Sequence, residues 1–503
     1  MKKLITLFII ALLSTQVFSQ AWMSYIPLEK RGSANYYDHE KAFHEWKKDN
    51  SHIKWEKQFY RMEYLMNGRV DETGHFPSRL FYEESKRIMN DRQLRAADYG
   101  SWTCKGPFYA PASQGQGRPG GTGRIDCIAF HPTNPDKILV GSPTGGLWWT
   151  DDGGLNWHTS SDNLASLGIA DIKFHPNNPD TIFIVTGTRD TWMETFSVGI
   201  LVSYDGGLTW NETGLNYNYT QGILANQLII NPDNPNEMIV ATSIGLYKTI
   251  DNTETWNLVY PGSFKDLKFA PGDFNTIYAS TFNMYGGANV FISRDGGSTF
   301  TNAANLPFTP SEVNRITIET TPANPNVVYL LCSEASSNGF LGLYRSDNKG
   351  ENWIHASAGT SLNLLGWAVN GNDIGGQGFY TLSLEVDPHN ADHVYVGGVN
   401  IWESTNSGAS WTINAHWLGQ GGVDYVHADI HVLQYNYLND VLYTGVDGGV
   451  YELQSNGTEW IDLSDGIVNY QLYKLGLYEG DDQLALGSPQ DNGSTLFDNG
   501  VFT

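Results

Sequence analysis

Two patterns of apolar and polar positions divide this chain. The stretch DHEKAFHEWKKDNSHIKWEKQFYRMEYLMNGRV (38–70) places apolar residues at three- and four-residue steps, the period of a helix with one buried stripe. ESKRIMNDRQLRAAD (84–98) predicts a further helix, and the polar GRVDETGHFPS (68–78) reads as a loop between them. From about residue 99 the helical period stops. Short β-branched and aromatic runs take over, separated by Pro/Asn turns: HPTNPD (131–136), HPNNPD (175–180), NPDNPN (231–236), APGDFN (270–275), TPANPN (321–326), DPHNAD (387–392) and a decayed NYLND (436–440). Pro fixes φ and Asn tolerates tight turns, so each copy reverses the chain between two strands.

Each turn leads into a second strand, such as KILVGS (137–142) or VVYLLCS (327–333), then a third, such as GLWWT (146–150). An octapeptide follows, of the form Ser/Thr-x-Asp-x-Gly-x-Thr-Trp. It reads SYDGGLTW at 203–210, TDDGGLNW at 150–157 and SRDGGSTF at 293–300. Looser copies surround Asp251, Asn348 and Asn406, and NGTEW (456–460) is a remnant. Pro132 to Tyr437 covers 437 − 132 = 305 residues in six steps, a period of about 51. Three strands, the octapeptide turn and a fourth strand beginning at its Trp make one four-stranded antiparallel sheet. Such a sheet is apolar on both faces, and stacking copies radially buries both. The prediction is an all-β propeller of at least seven four-stranded blades over 99–503, preceded by a short helical segment over 20–98. An eighth copy begins at YKLGLYEGDDQLALGSPQDNGS (473–494). It either completes the first blade or opens further structure in a longer protein, and the second outcome is the expected one.

The octapeptide has the chemistry of a turn. The Ser/Thr hydroxyl and the carboxylates of Asp152, Asp205, Asp251 and Asp295 can accept from backbone N–H groups left unpaired by the reversal. Asn replaces Asp at Asn348 and Asn406, an exchange that suits a turn and not a catalytic acid. SYDGGLTW resembles the Asp-box, or BNR repeat, of sialidases, of the sortilin ectodomain and of two-propeller xyloglucanases. GGLWWTDDGG (145–154), VHADIH (426–431), GVDGGVY (445–451) and PQDNG (489–493) are similar to sortilin-like, glycosyl-hydrolase-type propellers of secreted bacterial proteins. The segment 53–77 is similar to the N-terminal region of such proteins. The resemblance implies export, with type IX secretion as one route.

Composition narrows the partners. Lys2 and Lys3 precede an apolar run from Leu4 to Leu13, the layout of a signal peptide over 1–19; no later run is long enough to span a membrane. Residues 1–100 hold 16 Lys+Arg and 13 Asp+Glu, so +3. The remainder holds 30 − 16 = 14 basic and 54 − 13 = 41 acidic residues, so −27. An acidic body excludes nucleic acid as a natural partner. Of the cysteines at 104, 127 and 332, Cys104 and Cys127 either pair or stay as two buried thiols.

Two carboxylates sit at strand ends beside glycine or asparagine: Asp447 in GVDGG and Asp491 in PQDNG. They are the candidate catalytic pair, because glycoside hydrolysis needs one carboxyl as acid and another as base or nucleophile. The resemblance to xyloglucanases implies an earlier carboxylate, but SPTGG (142–146) has Pro143 at that place. The resemblance to sialidases implies an Arg triad, and Arg124-Ile125 matches its opening with Asp126 in place of Pro. In DYVHADIHV (424–432), strand alternation would aim His427, Asp429 and His431 the same way, with Asp424 alongside. These four are candidate ligand-binding residues. The three His/Asp positions either line the channel through hydrogen bonds or hold a divalent metal; no other cofactor is called for. Trp148, Trp149, Trp192, Trp367, Trp402 and Trp417 are candidates for stacking on sugars, some of them spent in the core. The expected function is recognition of an extracellular glycan or protein. The alternative is a glycoside hydrolase working at the channel mouth.

Overall fold

The computed structural model describes residues 21–27, 30, 34–51, 57–75, a few positions between 80 and 87, 104–111, and 120–502 apart from 190–194, 360–361 and 479. The signal-peptide reading and most of the helix expected over 84–98 lie outside these residues. The chain divides into two compact units, residues 1–97 and 98–503.

In the first unit the long amphipathic stretch forms two helices, Tyr36–Asp49 and Lys57–Met66. Asn35 caps the first: its side chain accepts from the Asp38 N–H, and Asp38 accepts from the Asn35 N–H, satisfying donors the first turn leaves orphaned. Trp22, Phe43, Trp46 and Phe59 form the buried core of this unit.

Among the described residues the second unit contains eight sheets. Seven are four-stranded and antiparallel. The sixth gains a short fifth strand, Asp424–Tyr425, paired parallel to Thr412–His416. Blade 1 shows the common plan: Cys127–Phe130, Ile138–Ser142, Gly146–Thr150 and His158–Thr159, each paired to the next. The fourth strand starts just after the octapeptide Trp, not at it, because Trp157 turns inward to the blade seam.

The inner strands of the first seven sheets neighbour one another in order: Cys127–Phe130, Ile169–His175, Ala225–Ile230, Phe264–Ala270, Val313–Thr320, Ser383–Val386 and Ile430–Asn436. The seventh also neighbours the first, so the ring closes at seven blades. Seven buried apolar clusters fill the seven seams. The closing seam joins Tyr443 and Val450 of blade 7 to Ile128, Val140 and Trp148 of blade 1. There the Trp157 indole N–H donates to the Leu463 carbonyl at 2.8 Å, and the Ile125 N–H donates to the Val446 carbonyl at 3.0 Å.

The eighth sheet (Leu472–Tyr478, Asp481–Pro489, Thr495–Asp498, Val501–Phe502) stands outside this ring. It does not complete blade 1, which already owns four strands. Leu475, Leu477, Leu486 and Val501 remain exposed on it.

Inner strands of adjacent blades lie side by side without a ladder, so their facing backbone groups need other partners. Each of five consecutive inner strands supplies one side chain to the next. Asp171 accepts from Leu228 N, Gln227 from Leu267 N and Asp266 from Ile318 N, at 2.9, 2.8 and 2.7 Å. Thr317 donates to the Leu382 carbonyl at 3.0 Å, and Glu385 accepts from Tyr435 N at 3.1 Å.

The octapeptides are the corners between third and fourth strands. The Ser203 hydroxyl donates to Asp205 at 2.7 Å and accepts from Gly207 N at 2.8 Å. Asp205 accepts from Thr209 N at 2.9 Å and from the Thr209 hydroxyl at 2.6 Å. The Thr209 hydroxyl, the Thr209 N–H and Ser203 hold the Asp205 carboxyl down at about 2. Asp152, Asp251 and Asp295 each accept from the backbone N–H four residues on, at 2.9 Å. Asn348 and Asn406 do the same through their amide oxygens at 2.9 Å.

Cys104, Cys127 and Cys332 are free thiols; Cys104 is exposed while Cys127 and Cys332 are buried. No helix among the described residues is long and apolar enough to cross a membrane.

Candidate functional site at the channel mouth

The inner strands all begin at one end of the ring axis, and polar residues collect there. The segment before blade 1 brings Arg124 and Asp126. The loop before blade 6 brings Gln377 and Tyr380. The loop before blade 7 brings His427 and Asp429, and its inner strand brings His431. Asp447 follows the strand Val441–Val446, and the turn of the eighth sheet brings Gln490 and Asp491.

At the base lies a buried ion network. Arg124 grips Asp126 through both Nε and Nη2, the latter at 3.1 Å, and lies 3.8 Å from Asp447. His431 Nε2 meets Asp447 Oδ1 at 2.8 Å. The Tyr380 hydroxyl donates toward the Asp447 carboxylate, 3.0 Å from both oxygens, and receives Arg124 Nη1 at 3.2 Å and Gln490 Nε2 at 3.0 Å. Its ring stands edge-on to His431 at 4.9 Å. Arg315 holds this Tyr in place by donating to its carbonyl at 2.8 Å. Buried charges persist only when paired in this way.

Above the network three carboxylates converge. Oxygens of Asp429, Asp447 and Asp491 come within 4.8 Å of one another; Asp429 and Asp447 are buried and Asp491 is exposed. Like charges this close cannot all ionise in a low-dielectric setting. Burial, then the Asp447 and Asp491 charges, push the Asp429 carboxyl well above its ordinary range. Burial pushes Asp447 up as well, but the His431 bond, then the charges of His431, Arg124 and His427, outweigh it and hold Asp447 below the ordinary range. The two carboxyls are thus shifted in opposite directions, Asp429 up and Asp447 down. Gln377 Nε2 fixes Asp429 by donating at 2.9 Å.

Alternation along a strand does not place the VHADIH residues. The inner strand starts at Ile430, so only His431 is on it. His427 and Asp429 lie in the preceding loop, and Asp429 takes a left-handed φ of 71°. That turn breaks period two and aims Asp429 at the mouth independently of His431. His427, Asp429 and His431 therefore do not share one strand face. His431 Nε2 is committed to Asp447, and His427 Nδ1 faces the Ala428 carbonyl at 3.2 Å. The carboxylates Asp429, Asp447 and Asp491 are the ones gathered. The His427 ring packs on Gly448, where a Cβ would lie 2.4 Å away; the second glycine of GVDGG answers to that contact.

Asp424 stays apart from this group. It accepts from Trp460 N at 2.8 Å and tethers the fourth strand of blade 7. Of the expected site residues, Asp447, Asp491, Asp429, His427 and His431 meet at the mouth. Gln377 and Tyr380 join them unmarked by any motif, while Asp126 and Gln490 stand in the stretches 124–126 and PQDNG. Gln377 and Tyr380 stand in an irregular segment, and no spacing marks them.

No protein-family model matches this chain, and no curated protein matches it by sequence. Solved structures match it by fold. The crystal structure of the Niastella koreensis GH74 enzyme is similar at a TM-score of 0.56 and 18% identity, covering 78% of this chain and 60% of that one. An ancestral GH74 enzyme is similar at 0.55 and 15%, covering 78% and 55%. The GH74 xyloglucanase from Xanthomonas campestris is similar at 0.53 and 13%, covering 74% and 59%. The chain spans 55–60% of the length of these structures. At such identities the likeness is one of fold. The chain is a β-propeller.

Proposed function

We propose that this propeller binds an extracellular glycan at its channel mouth. One observation carries the reading. Asp429 and Asp491 bring carboxyl oxygens together over an ion network, braced by the Gln377 amide on Asp429 and the Gln490 amide on Tyr380. Closely spaced donors and acceptors on fixed supports suit a ligand rich in hydroxyls. The excess of acidic residues after residue 100 disfavours polyanionic ligands. The xyloglucanase of similar fold is compatible with a carbohydrate ligand. Lys2, Lys3 and the apolar run after them support export, which cell fractionation tests directly. Binding is tested by calorimetry of the purified chain against a panel of plant and bacterial polysaccharides, beside Asp491→Ala. Retention of a polysaccharide that the variant loses supports the reading. Equal binding by both proteins refutes it.

A glycoside hydrolase is the second reading, and the separation of carboxyl states favours it. Asp429, with its carboxyl pushed up, is the better placed proton donor beside the exposed Asp491 and the lowered Asp447. Carboxyl groups this close fall nearer the short spacing of retaining glycosidases, roughly 5 Å, than the wider spacing of inverting ones. Reducing-end release by the wild type, abolished in Asp429→Asn with binding kept, would establish it. Retention without products would leave the chain a binder.

A further inference from the structure

Six tryptophans could have faced a sugar by sequence. The structure commits three of them to packing. Trp148 and Trp402 are buried in blade seams, Trp149 packs under Lys137 and against His158, and Trp192 lies outside the described residues. Trp367 and Trp417 remain, fifty positions apart in the chain, and they are neighbours in space. The Trp417 indole N–H donates to the Trp367 carbonyl at 3.2 Å, and His416 Nε2 reaches the same oxygen at 3.2 Å.

Both are held by a built scaffold. The buried Asn400 amide bridges their two loops, donating to the Gly366 carbonyl at 3.0 Å and accepting from Trp417 N at 3.1 Å. Asp373 accepts from Trp367 N at 2.6 Å and Ala368 N at 3.1 Å. Asn363 closes the loop by donating to the Gly375 carbonyl at 2.6 Å. The Trp367 side is nonetheless exposed, at 39%. A long insertion between two blades that fixes its backbone through buried amides and leaves an indole in water is the layout of a binding loop.

This loop also delivers Gln377 to Asp429 and Tyr380 to Asp447. The aromatic surface and the polar mouth thus belong to one element. We propose that Trp367 and Trp417 form a stacking subsite for pyranose rings, extending the mouth along the rim of blade 6 and taking a glycan chain several sugars long. An indole offers a flat, electron-rich face to the axial C–H groups of a sugar, and it is rigid before the ligand arrives. The inference rests on the glycan reading of the mouth.

The probes are short and long cello-oligosaccharides and a soluble β-glucan, followed by intrinsic tryptophan fluorescence and calorimetry. The proteins are the full chain, Trp367→Ala, Trp367→Tyr and Asp491→Ala. Trp367→Ala should weaken the long ligands roughly tenfold and leave the shortest ones unchanged. Trp367→Tyr should recover most of the loss, which a packing role for this exposed side chain would not predict. An unaltered Tm would show that the fold is intact. Loss with Asp491→Ala but not with Trp367→Ala overturns the stacking subsite and spares the mouth. The reverse pattern upholds the subsite and overturns the mouth. Absence of binding across all probes, with a peptide or protein ligand found instead, overturns both.

Discussion

Asp429 and Asp447 are chemically the same residue and are shifted in opposite directions, since their neighbours differ. Asp447 has His431, Arg124 and the Tyr380 hydroxyl. Asp429 has burial, two nearby carboxylates and one amide donor. The signs of their effects on stability are opposite too. The raised Asp429 holds its proton more tightly when folded than when unfolded, so stability falls as pH rises above the ordinary carboxylate value. Asp429→Asn should therefore raise Tm at neutral pH and give no gain near pH ~3, as read by thermal melts across pH. The lowered Asp447 adds stability above the ordinary value, and this is lost as pH falls through its depressed value. Asp447→Asn should cost about 1–3 kcal/mol at neutral pH, because it weakens the buried acceptor of His431 and the Tyr380 hydroxyl; chemical denaturation measures it. GVDGG singled out Asp447 as a candidate. Nothing in the sequence told which neighbours would set its charge.

The octapeptide turn is an element whose chemistry is local, and for that reason it was legible. Hydroxyl, carboxyl or amide oxygen, glycine and aromatic all act within eight residues. Ser203→Ala should destabilise by about 1–3 kcal/mol, since the Gly207 N–H loses its partner in a buried corner. Asp205→Asn should be tolerated, because Asn348 and Asn406 already make the same bond to the backbone. Equilibrium unfolding of the two variants compares them. Gly207 itself needs its left-handed φ of 95°. The inner strands are the contrary case. Asp171, Gln227, Asp266 and Glu385 each serve a strand about forty to sixty residues away. Their polar letters inside apolar runs look like interruptions until the neighbouring blade is in place. VHADIH failed at this scale as well: an αL turn at Asp429 removed the strand that the alternation implied.

In the whole molecule, closure at seven blades leaves the eighth sheet with a separate role. It contributes no inner strand to the ring, yet its turn hands Gln490 to Tyr380 and lets Asn492 donate to the Asp447 carbonyl at 3.1 Å. Removal of residues 472–503 should leave one cooperative thermal transition for the ring. It should also weaken any ligand of the mouth, because Asp491 and Gln490 go with it. Circular dichroism and calorimetry on the truncated chain check both halves of this prediction. Loss of cooperative folding would mean that the sheet is part of the ring's stability after all.

The sequence by itself determined the blade plan. A four-strand unit with both faces apolar, repeated at about fifty residues, has few ways to bury its surface, and a ring of sheets is the one that leaves no face open. The turns that punctuate it were equally fixed, since their bonds close within a few positions. Tertiary structure alone decided the number of blades, the place of the eighth sheet and the composition of the mouth. Those depend on which distant segments arrive at the axis, and on the charges they then impose on one another, and neither leaves a period in the chain.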